Sequence, residues 1–544
     1  MKFKELIKEK YHIVVLLMII IVASLPAFRT GVCQGHDLPF HLGRIEAIAE
    51  ELQMGHIPVR YETSAWHGHG YISTTMYGNI FLYVPALLLI CGIPLWRVYN
   101  IYIIVVNVAT VAVAYYCFSK LFKTRNGALM AVMIYTFAGY RLSNLYVRAA
   151  VGEYTAMIFI PLVIYGIYRI YEESDMGICR KVCPLVVGAS GLIQSHILTT
   201  ELVAIFSLIY LLINFKSTMS HIKEWLIAVV LIVLINLFFI LPFIYTYISM
   251  RLYANTQLTS QSIRPDGLYL CQMFGPLTEG FGSSFEWSAE GEGYLNSGIQ
   301  YVLAFITTIV FAIANRNNKA NDKKTPLVFW ILFIFGIGAM FLSTVYFPWN
   351  LFAGENNKLS FLSAIQYPWR NMLIATVCFV ITGVYGFERL ISNKKSIVAL
   401  AVVAAVTLMT TAYFDYTLVY KNKTLVNEKA DSTWADKLYL PEGTERQFLN
   451  VTVPIYADDK VIIPTLAYDI ITVTDIEDKP IPWETGYNGC IVVNREDFTR
   501  GYKIHFMVPF IWHVSEIISL ITIIGLVIAV VRKMKRLAIN EVVD

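Results

Sequence analysis

The chain is built of long apolar runs separated by short polar breaks, and that pattern changes only near its end. Crossing about 30 Å of hydrocarbon takes roughly 17 to 25 residues of helix. Runs of that length fall near 11 to 28, 98 to 119, 154 to 172, 196 to 214, 224 to 247, 298 to 315, 325 to 345, 371 to 389, 396 to 413 and 511 to 531. Shorter apolar runs near 79 to 95, 127 to 140 and 183 to 194 bring the candidates to thirteen. Between 414 and 508 the period becomes two: NVTVPIY, KVIIPTLAYDIITVTDI and GCIVVN alternate apolar and polar residues, broken by Pro, Gly and Asp. Such alternation predicts a small β-sandwich-like domain held between two membrane helices. The expected fold is therefore an all-α polytopic membrane protein of about 12 to 14 transmembrane helices with a small β domain near the C-terminus. Its parts are a transmembrane unit over 1–413 with outer loops 29–78 and 248–297, a β-rich domain over 414–508, and a last helix with a basic tail over 509–544. In the loop 248–297, SSFEWSAEGEGYLNSG shows no period and reads equally well as an ordered or a mobile lid.

Composition agrees with this reading. Of 544 residues, 56% are hydrophobic and 15% charged, and the mean hydropathy of +0.57 exceeds what a soluble core could bury. The first run follows MKFKELIKEK without a small-x-small cleavage site, so it is read as a retained anchor. The net charge of +4 comes from loop lysines, with no basic-aromatic stripe for nucleic acid. Eight cysteines lie scattered, mostly in apolar runs; Cys179 and Cys183 alone cannot complete a zinc site, and no disulfide framework is implied. Basic residues set the orientation. RKMKR after 531, Lys394 with Lys395, RNNKANDKK, Lys216 with Lys223, Arg180 with Lys181, and Lys120, Lys123 and Arg125 are assigned to the cytoplasm. The loops 248–297 and 346–370, the region 414–508, Arg148 and Glu153 then lie outside. A cytoplasmic N-terminus requires an even number of crossings, which makes the hairpin 79 to 95 the first candidate for a half-crossing.

Directly after the first span stands GHDLPFHLGRIEAIAEELQMGHIPVRY, with Asp37, His41 and Arg44 spaced to begin one polar face of a helix starting at Pro39. Such groups belong in water at the membrane face. Asp37 reads as a general base or metal ligand beside an imidazole, or as the capping residue of an ordinary interfacial helix. In RLSNLYVRAAVGEY, Arg141 reads as a helix-end anchor. Glu153 abuts an apolar run, where a carboxylate costs about 2.5 to 3.5 kcal/mol at the centre of a span, so it calls for a cation or metal, with Arg148 the nearest partner. His196 in SHILTTEL is an interhelical hydrogen-bonder or a ligand-binding group. Arg370 in IQYPWRNML is a phosphate clamp or a snorkelling anchor beside Trp369. No Walker loop, GxSxG elbow or HExxH motif is present.

The order HDLPFHLGRI, GHIPVRY, GHGY, MYGNIFLYVPALL, RLSNLYVRAAVGEYTAMIFIPLVIYG, SHILTT, AIQYPWRNML and ADKLYLPE resembles bacterial membrane proteins labelled 6-pyruvoyl-tetrahydropterin-synthase-related, and the similar YfhO-like group. These in turn resemble the GT-C superfamily of integral membrane glycosyltransferases. The resemblance implies a multi-pass protein of the bacterial cell membrane, with its active site and β domain on the extracytoplasmic side. It implies transfer of a sugar from a polyprenyl-phosphate donor to a cell-wall or lipid glycan acceptor, membrane lipid being the other partner. Asp37 occupies the place of that superfamily's essential first-loop acid, with His41 and Glu153 as further catalytic groups and Arg44, Arg148, His196 and Arg370 as substrate-binding groups. A divalent cation, magnesium or manganese, would be held by Asp37 and Glu153. The first loop carries HD instead of DxD or DE, a departure that bears on that metal. The rival readings are a lipid or oligosaccharide transporter and a non-catalytic envelope scaffold. A transporter would carry ionisable residues deep in several spans, whereas here they cluster at the outer ends.

Overall fold

The computed structural model describes residues 2–173, 176–256, 262–274, 298–317, 325–354, 357–392, 395–416, 425–426, 437–498 and 501–543. The anticipated lid in 248–297 falls largely outside them, as does most of the stretch 417–436.

Each of the thirteen apolar runs falls on a helix. In chain order the principal helices are α1 (Lys2–Ser24), α2 (Leu38–Gln53), α3 (Tyr83–Ile90), α4 (Leu95–Leu121), α5 (Arg125–Thr136), α6 (Val151–Ala156), α7 (Ile160–Glu172), α8 (Ile178–Ser195), α9 (Ile197–Ile213), α10 (Ile222–Ser249), α11 (Ile299–Asn317), α12 (Leu327–Leu342), α13 (Met372–Leu390), α14 (Ser396–Phe414) and α15 (Phe510–Val543). Among the described residues, seven segments are long and apolar enough to cross a membrane: Lys10–Phe28, Leu95–Leu121, Val151–Glu172, Ile222–Ser249, Pro368–Leu390, Ser396–Phe414 and Phe510–Ala529. Four shorter apolar helices accompany them, Ile80–Ile90, Ile197–Ile213, Ile299–Asn315 and Leu327–Leu342. The protein is a multi-pass membrane protein. The suspected half-crossing, at eight residues in α3, rises only about 12 Å. Its stop is Gly92, at φ +88°, where a side chain would be strained.

Polar staples align the helix ends. At one end the Tyr11 hydroxyl donates to Asn126 at 2.5 Å, and the Asn126 amide donates to Ser396 at 2.9 Å. The Glu388 carboxylate there accepts from the Thr124 amide at 2.8 Å and hydroxyl at 2.7 Å. This end carries Lys120, Lys123, Arg125, Arg389 and Lys395. At the other end Asn100, near the start of α4, donates to the Gly31 carbonyl at 3.0 Å, just past the end of α1.

The alternating segment folds into antiparallel strands: β3 (Ile455–Ala457), β4 (Lys460–Leu466), β5 (Ile471–Thr474), β6 (Pro480–Ile481), β7 (Trp483–Thr485), β8 (Cys490–Asn494) and β9 (Lys503–Phe506). One sheet runs β3-β4-β8-β7 and another β6-β5-β9. Val461, Ile463, Val473, Ile491 and Val493, the inward positions of the alternation, are buried with Tyr61, Trp66 and Tyr71 of the first loop and Trp512 of α15. The strands thus sit on the first loop and on the head of the last helix. A further short pair joins β1 (Val32–Cys33) to β2 (Leu425–Val426), linking the first loop to a segment almost 400 residues later.

Candidate functional site

Three backbone devices bring the polar groups together. The first is a close approach: the Asp37 amide donates to the Arg148 carbonyl at 2.8 Å and the His36 amide to the Val147 carbonyl at 3.3 Å. A Cβ on Gly35 would stand 2.6 Å from the Ala149 Cβ, so only glycine permits this contact. The second is the turn between the short helix Asn144–Arg148 and α6, where Ala149 takes a left-handed φ of +57°. That residue reverses the chain and returns Glu153 beside Arg148. The third is the break between α8 and α9 at His196, whose extended backbone (φ −157°) lets its Nδ1 cap α9 by accepting from the Thr199 amide at 3.2 Å. The proton therefore resides on Nε2.

Glu153 is the hub. Its Oε1 accepts from Arg148 Nη1 and from Arg370 Nε, each at 2.9 Å. Its Oε2 accepts from the Tyr140 hydroxyl at 2.7 Å and Asn144 Nδ2 at 3.3 Å. Four donors occupy the four lone-pair directions of one carboxylate. Arg370 also donates to the Ile365 carbonyl and to Gln366 Oε1, each at 2.6 Å. Arg148 donates to Asn144 Oδ1 at 2.8 Å. Both guanidiniums lie against the Tyr367 ring, at 5.8 and 5.2 Å from its centroid, with Tyr367 stacked on Trp369 at 4.3 Å.

Asp37 occupies the N-cap position of α2 yet makes no capping bond there. Its side chain is 43% exposed, with Oδ2 3.9 Å from Arg148 Nη2. The ordinary capping role that the sequence allowed is not the one adopted; the carboxylate faces a cavity. That cavity, of about 530 Å³, is lined by Asp37, His41, Arg148, Glu153, His196 and Arg370 together with Tyr77, Gln366 and Tyr367. Tyr77 stands between the two imidazoles, its ring 6.0 Å from His41 and 5.7 Å from His196. Burial, then the positive fields of Arg44, His196 and Arg148, hold the His41 imidazole well below its ordinary pKa. Burial likewise holds His196 down, outweighing the attraction of Glu153. Both rings are neutral. His41 makes no side-chain bond to Asp37, so it does not support that carboxylate directly.

Two expectations are corrected. Arg44 neither lies in water nor lines the cavity. It is 1% exposed, donates to the Gly78 carbonyl at 3.1 Å, and stacks behind Tyr77 at 4.3 Å from the ring centroid, because the apolar face of α2 (Leu42, Ile45, Ile48) turns into protein and carries Arg44 inward with it. Arg141 is no surface anchor: buried against α4, it donates to Asn107 Oδ1 at 2.7 Å and Thr110 Oγ1 at 3.1 Å. The donor set also does not fit a divalent cation. Glu153 has no lone pair left, Asp37 faces a guanidinium, and among the described residues no three His, Cys, Asp or Glu side chains are grouped to hold a metal.

One wall of the cavity is built from residues to which the sequence reading gives no role, although Lys437 and Tyr439 lie within the segment ADKLYLPE. Tyr253, Asp266, Lys437 and Tyr439 line it, brought by the turn after α10 and by the short helix Lys437–Tyr439. The Tyr439 amide donates to the Tyr71 hydroxyl at 3.2 Å, its carbonyl accepts from the Tyr468 hydroxyl at 3.0 Å, and Lys437 Nζ sits 5.3 Å from the Tyr253 ring centroid. No charge abutting an apolar run marks these residues, since each reaches the site through contacts far along the chain.

No family profile matches the chain. A protein of Lactococcus lactis subsp. cremoris described only as uncharacterized is 24% identical over 365 residues, which cover 64% of this chain and 55% of that relative. The chain thus matches little more than half of the relative's length. Among solved structures, the arabinofuranosyltransferase AftD from Mycobacteria is similar at a TM-score of 0.47 and 14% identity, over 76% of this chain and 27% of that one. The Archaeoglobus fulgidus oligosaccharyltransferase in its apo form is similar at 0.40 and 12%, over 77% and 57%. These likenesses are too loose to carry an argument about chemistry, which rests on the residues of the cavity itself.

Proposed function

We propose that the protein is an integral membrane glycosyltransferase, moving a sugar from a polyprenyl-phosphate donor to a hydroxyl of a cell-envelope acceptor on the extracytoplasmic face. The observation that carries this reading is one cavity holding a carboxylate that declines its helix-capping role beside two arginines clamped by a shared glutamate. Such a pair of fixed guanidiniums suits a phosphate, whose charge grows as it departs. The acceptor oxygen bonds to the anomeric carbon while the carbon–oxygen bond to phosphate breaks, its electron pair staying on the phosphate. Asp37 takes the hydroxyl proton. Arg370 and Arg148 balance the leaving charge, and Glu153 holds them in place as a positioning residue. The neutral His196 offers Nε2–H, and His41 a polar wall, to the sugar hydroxyls. The basic residues gathered at the opposite helix ends support that sidedness.

The test is sugar transfer in proteoliposomes from a polyprenyl-phosphate donor. Asp37→Asn keeps the shape but cannot accept the proton, so transfer falls by about 10²- to 10⁴-fold with the melting temperature unchanged. Unaltered transfer by that variant would remove Asp37 from the chemistry.

A further inference from the structure

The helix that leads to the Tyr253 wall of the cavity has one turn that its own backbone does not complete. Pro242 lies inside α10 and has no amide to offer the Phe238 carbonyl, four residues before it. Arg60 of the first loop takes that place. Its Nη2 donates to the Phe238 carbonyl at 2.6 Å and to Glu516 Oε1 of α15 at 2.9 Å. On the preceding turn, Ser519 of α15 accepts from the Phe238 amide at 3.0 Å and donates to the Leu234 carbonyl at 2.9 Å, the two groups that a regular helix joins to each other. A side chain entering the ladder next to a proline turn marks a place where helices bend. α10 is thus held at a natural hinge by a loop arginine and by a hydroxyl of the last helix.

Both walls of the cavity hang on that brace. From Phe238 to Ser249 α10 rises about 16 Å, and the chain that leaves it is fastened to the Lys437 wall. The Tyr253 amide donates to the Leu440 carbonyl at 3.2 Å and its hydroxyl to the Thr444 carbonyl at 2.9 Å, while Arg251 Nε pairs with Glu442 at 2.8 Å. On the opposite wall Arg60 acts through its backbone: its carbonyl accepts from the Thr75 hydroxyl at 2.7 Å, in the short helix Ser73–Met76 that hands the chain to Tyr77. Arg60 is buried, at 5% exposure, and does not line the cavity itself. A bend of about 10° at Phe238 would displace the head of α10 by about 3 Å relative to the Tyr77 side.

We infer that Arg60 is a positioning residue: by bracing the hinge of α10 it sets the gap between the Tyr77 wall and the wall of Tyr253 and Lys437. Its kinetic consequence rests on the glycosyl-transfer reading, in which phosphate and sugar occupy the arginine and imidazole side, so that the acceptor feels the gap.

Two readouts on the full chain test this. With the eight native cysteines replaced by Ser, nitroxides at Ile80→Cys, just past Tyr77, and Ile248→Cys, at the head of α10, both exposed, report the gap in nanodiscs. Sugar transfer in proteoliposomes gives KM and kcat. Arg60→Gln is expected to shift or broaden the nitroxide distance by about 3 Å and to raise the acceptor KM by about fivefold or more, with kcat within about twofold. Because one nitrogen serves both acceptors, the ammonium of Arg60→Lys should restore most of both changes. Ser519→Ala, which releases the same turn without touching the buried charge, should move both readouts in the same direction and decides the matter where Arg60→Gln does not fold. A distance that stays put in these variants overturns the brace. A shifted distance with a lowered kcat and an unchanged acceptor KM overturns the positioning role. If the parent protein transfers no sugar, the glycosyl-transfer reading falls, and the distances still decide the brace.

Discussion

The acid–base consequences are settled at single residues. In the folded chain His41 and His196 stay neutral, while in the unfolded chain each takes up a proton below about pH 6.5. The unfolded state then binds more protons, so stability drops as pH falls through about 6.5, by about 1.4 kcal/mol per pH unit for each histidine. Replacing His41 with Phe is expected to flatten the acid limb of a melting-temperature profile and leave its neutral limb in place. Glu62 behaves oppositely. Burial between the first-loop turns pushes its carboxyl up to about 7, a hydrogen bond from Ser73 opposing that rise only in part. Its folded pKa lies above its unfolded one, so it costs stability as pH rises from about 4.5 towards 7. Glu62→Gln should therefore raise the melting temperature at pH 8 and have little effect at pH 4. At Glu153 the cost of removal is larger. Glu153→Gln leaves Arg148 and Arg370 buried without their counter-charge, a loss of about 3 to 5 kcal/mol, read as a large fall in melting temperature alongside lost transfer.

Among the elements, the break between α8 and α9 and the start of α6 meet across a gap only glycine can leave. A Cβ on Gly152 would stand 2.0 Å from the Tyr77 hydroxyl and 2.7 Å from the Ser195 carbonyl. Gly152→Ala should push Tyr77 from between His41 and His196, raising the KM for the donor more than it lowers the melting temperature; an unchanged KM would mean that Tyr77 does not order the sugar subsite. Each apolar run betrayed a helix because burial in lipid leaves an uninterrupted signature, and β4 was visible because only one of its faces is buried. Asp37, Arg148, Glu153, His196 and Arg370 stood out because charge beside hydrocarbon needs a reason. Arg44 misled for the same cause: its charge was visible, but the turn of α2 that buries it against Tyr77 depends on which side of the helix meets protein. Lys437, Tyr253 and Asp266 carried no such mark, since a polar residue in a polar loop looks ordinary until the fold aims it.

Taken as a whole, the molecule separates its charges by end. Lys123, Arg125 and Lys395 gather where α4 closes and α5 and α14 open, and the Asp37 cavity lies where α1 closes and α13 opens. With the cavity placed outside, Lys437→Cys should react with a membrane-impermeant maleimide on intact cells, and Lys123→Cys only after permeabilisation. The exposed native thiols Cys91, Cys179 and Cys183 are replaced by Ser beforehand. The reverse labelling would place the cavity in the cytoplasm, where a polyprenyl-linked donor loses its rationale.

The pairing of Val32 and Cys33 with Val426 and Leu425 bears on how the protein comes into being. A ribosome threading this chain into the bilayer delivers Asp37 and Arg148 early and Arg370 about two-thirds of the way along, yet the wall carrying Lys437 and Tyr439, and the strand that zips onto the first loop, emerge only after some four-fifths of the chain has been made. Until then the pocket stands open to water on one side, and a nascent or prematurely stopped polypeptide has nothing to enclose a sugar. On the proposed reading, competence arrives late and at once, so that half-built copies do not spill activated glycosyl groups into solution.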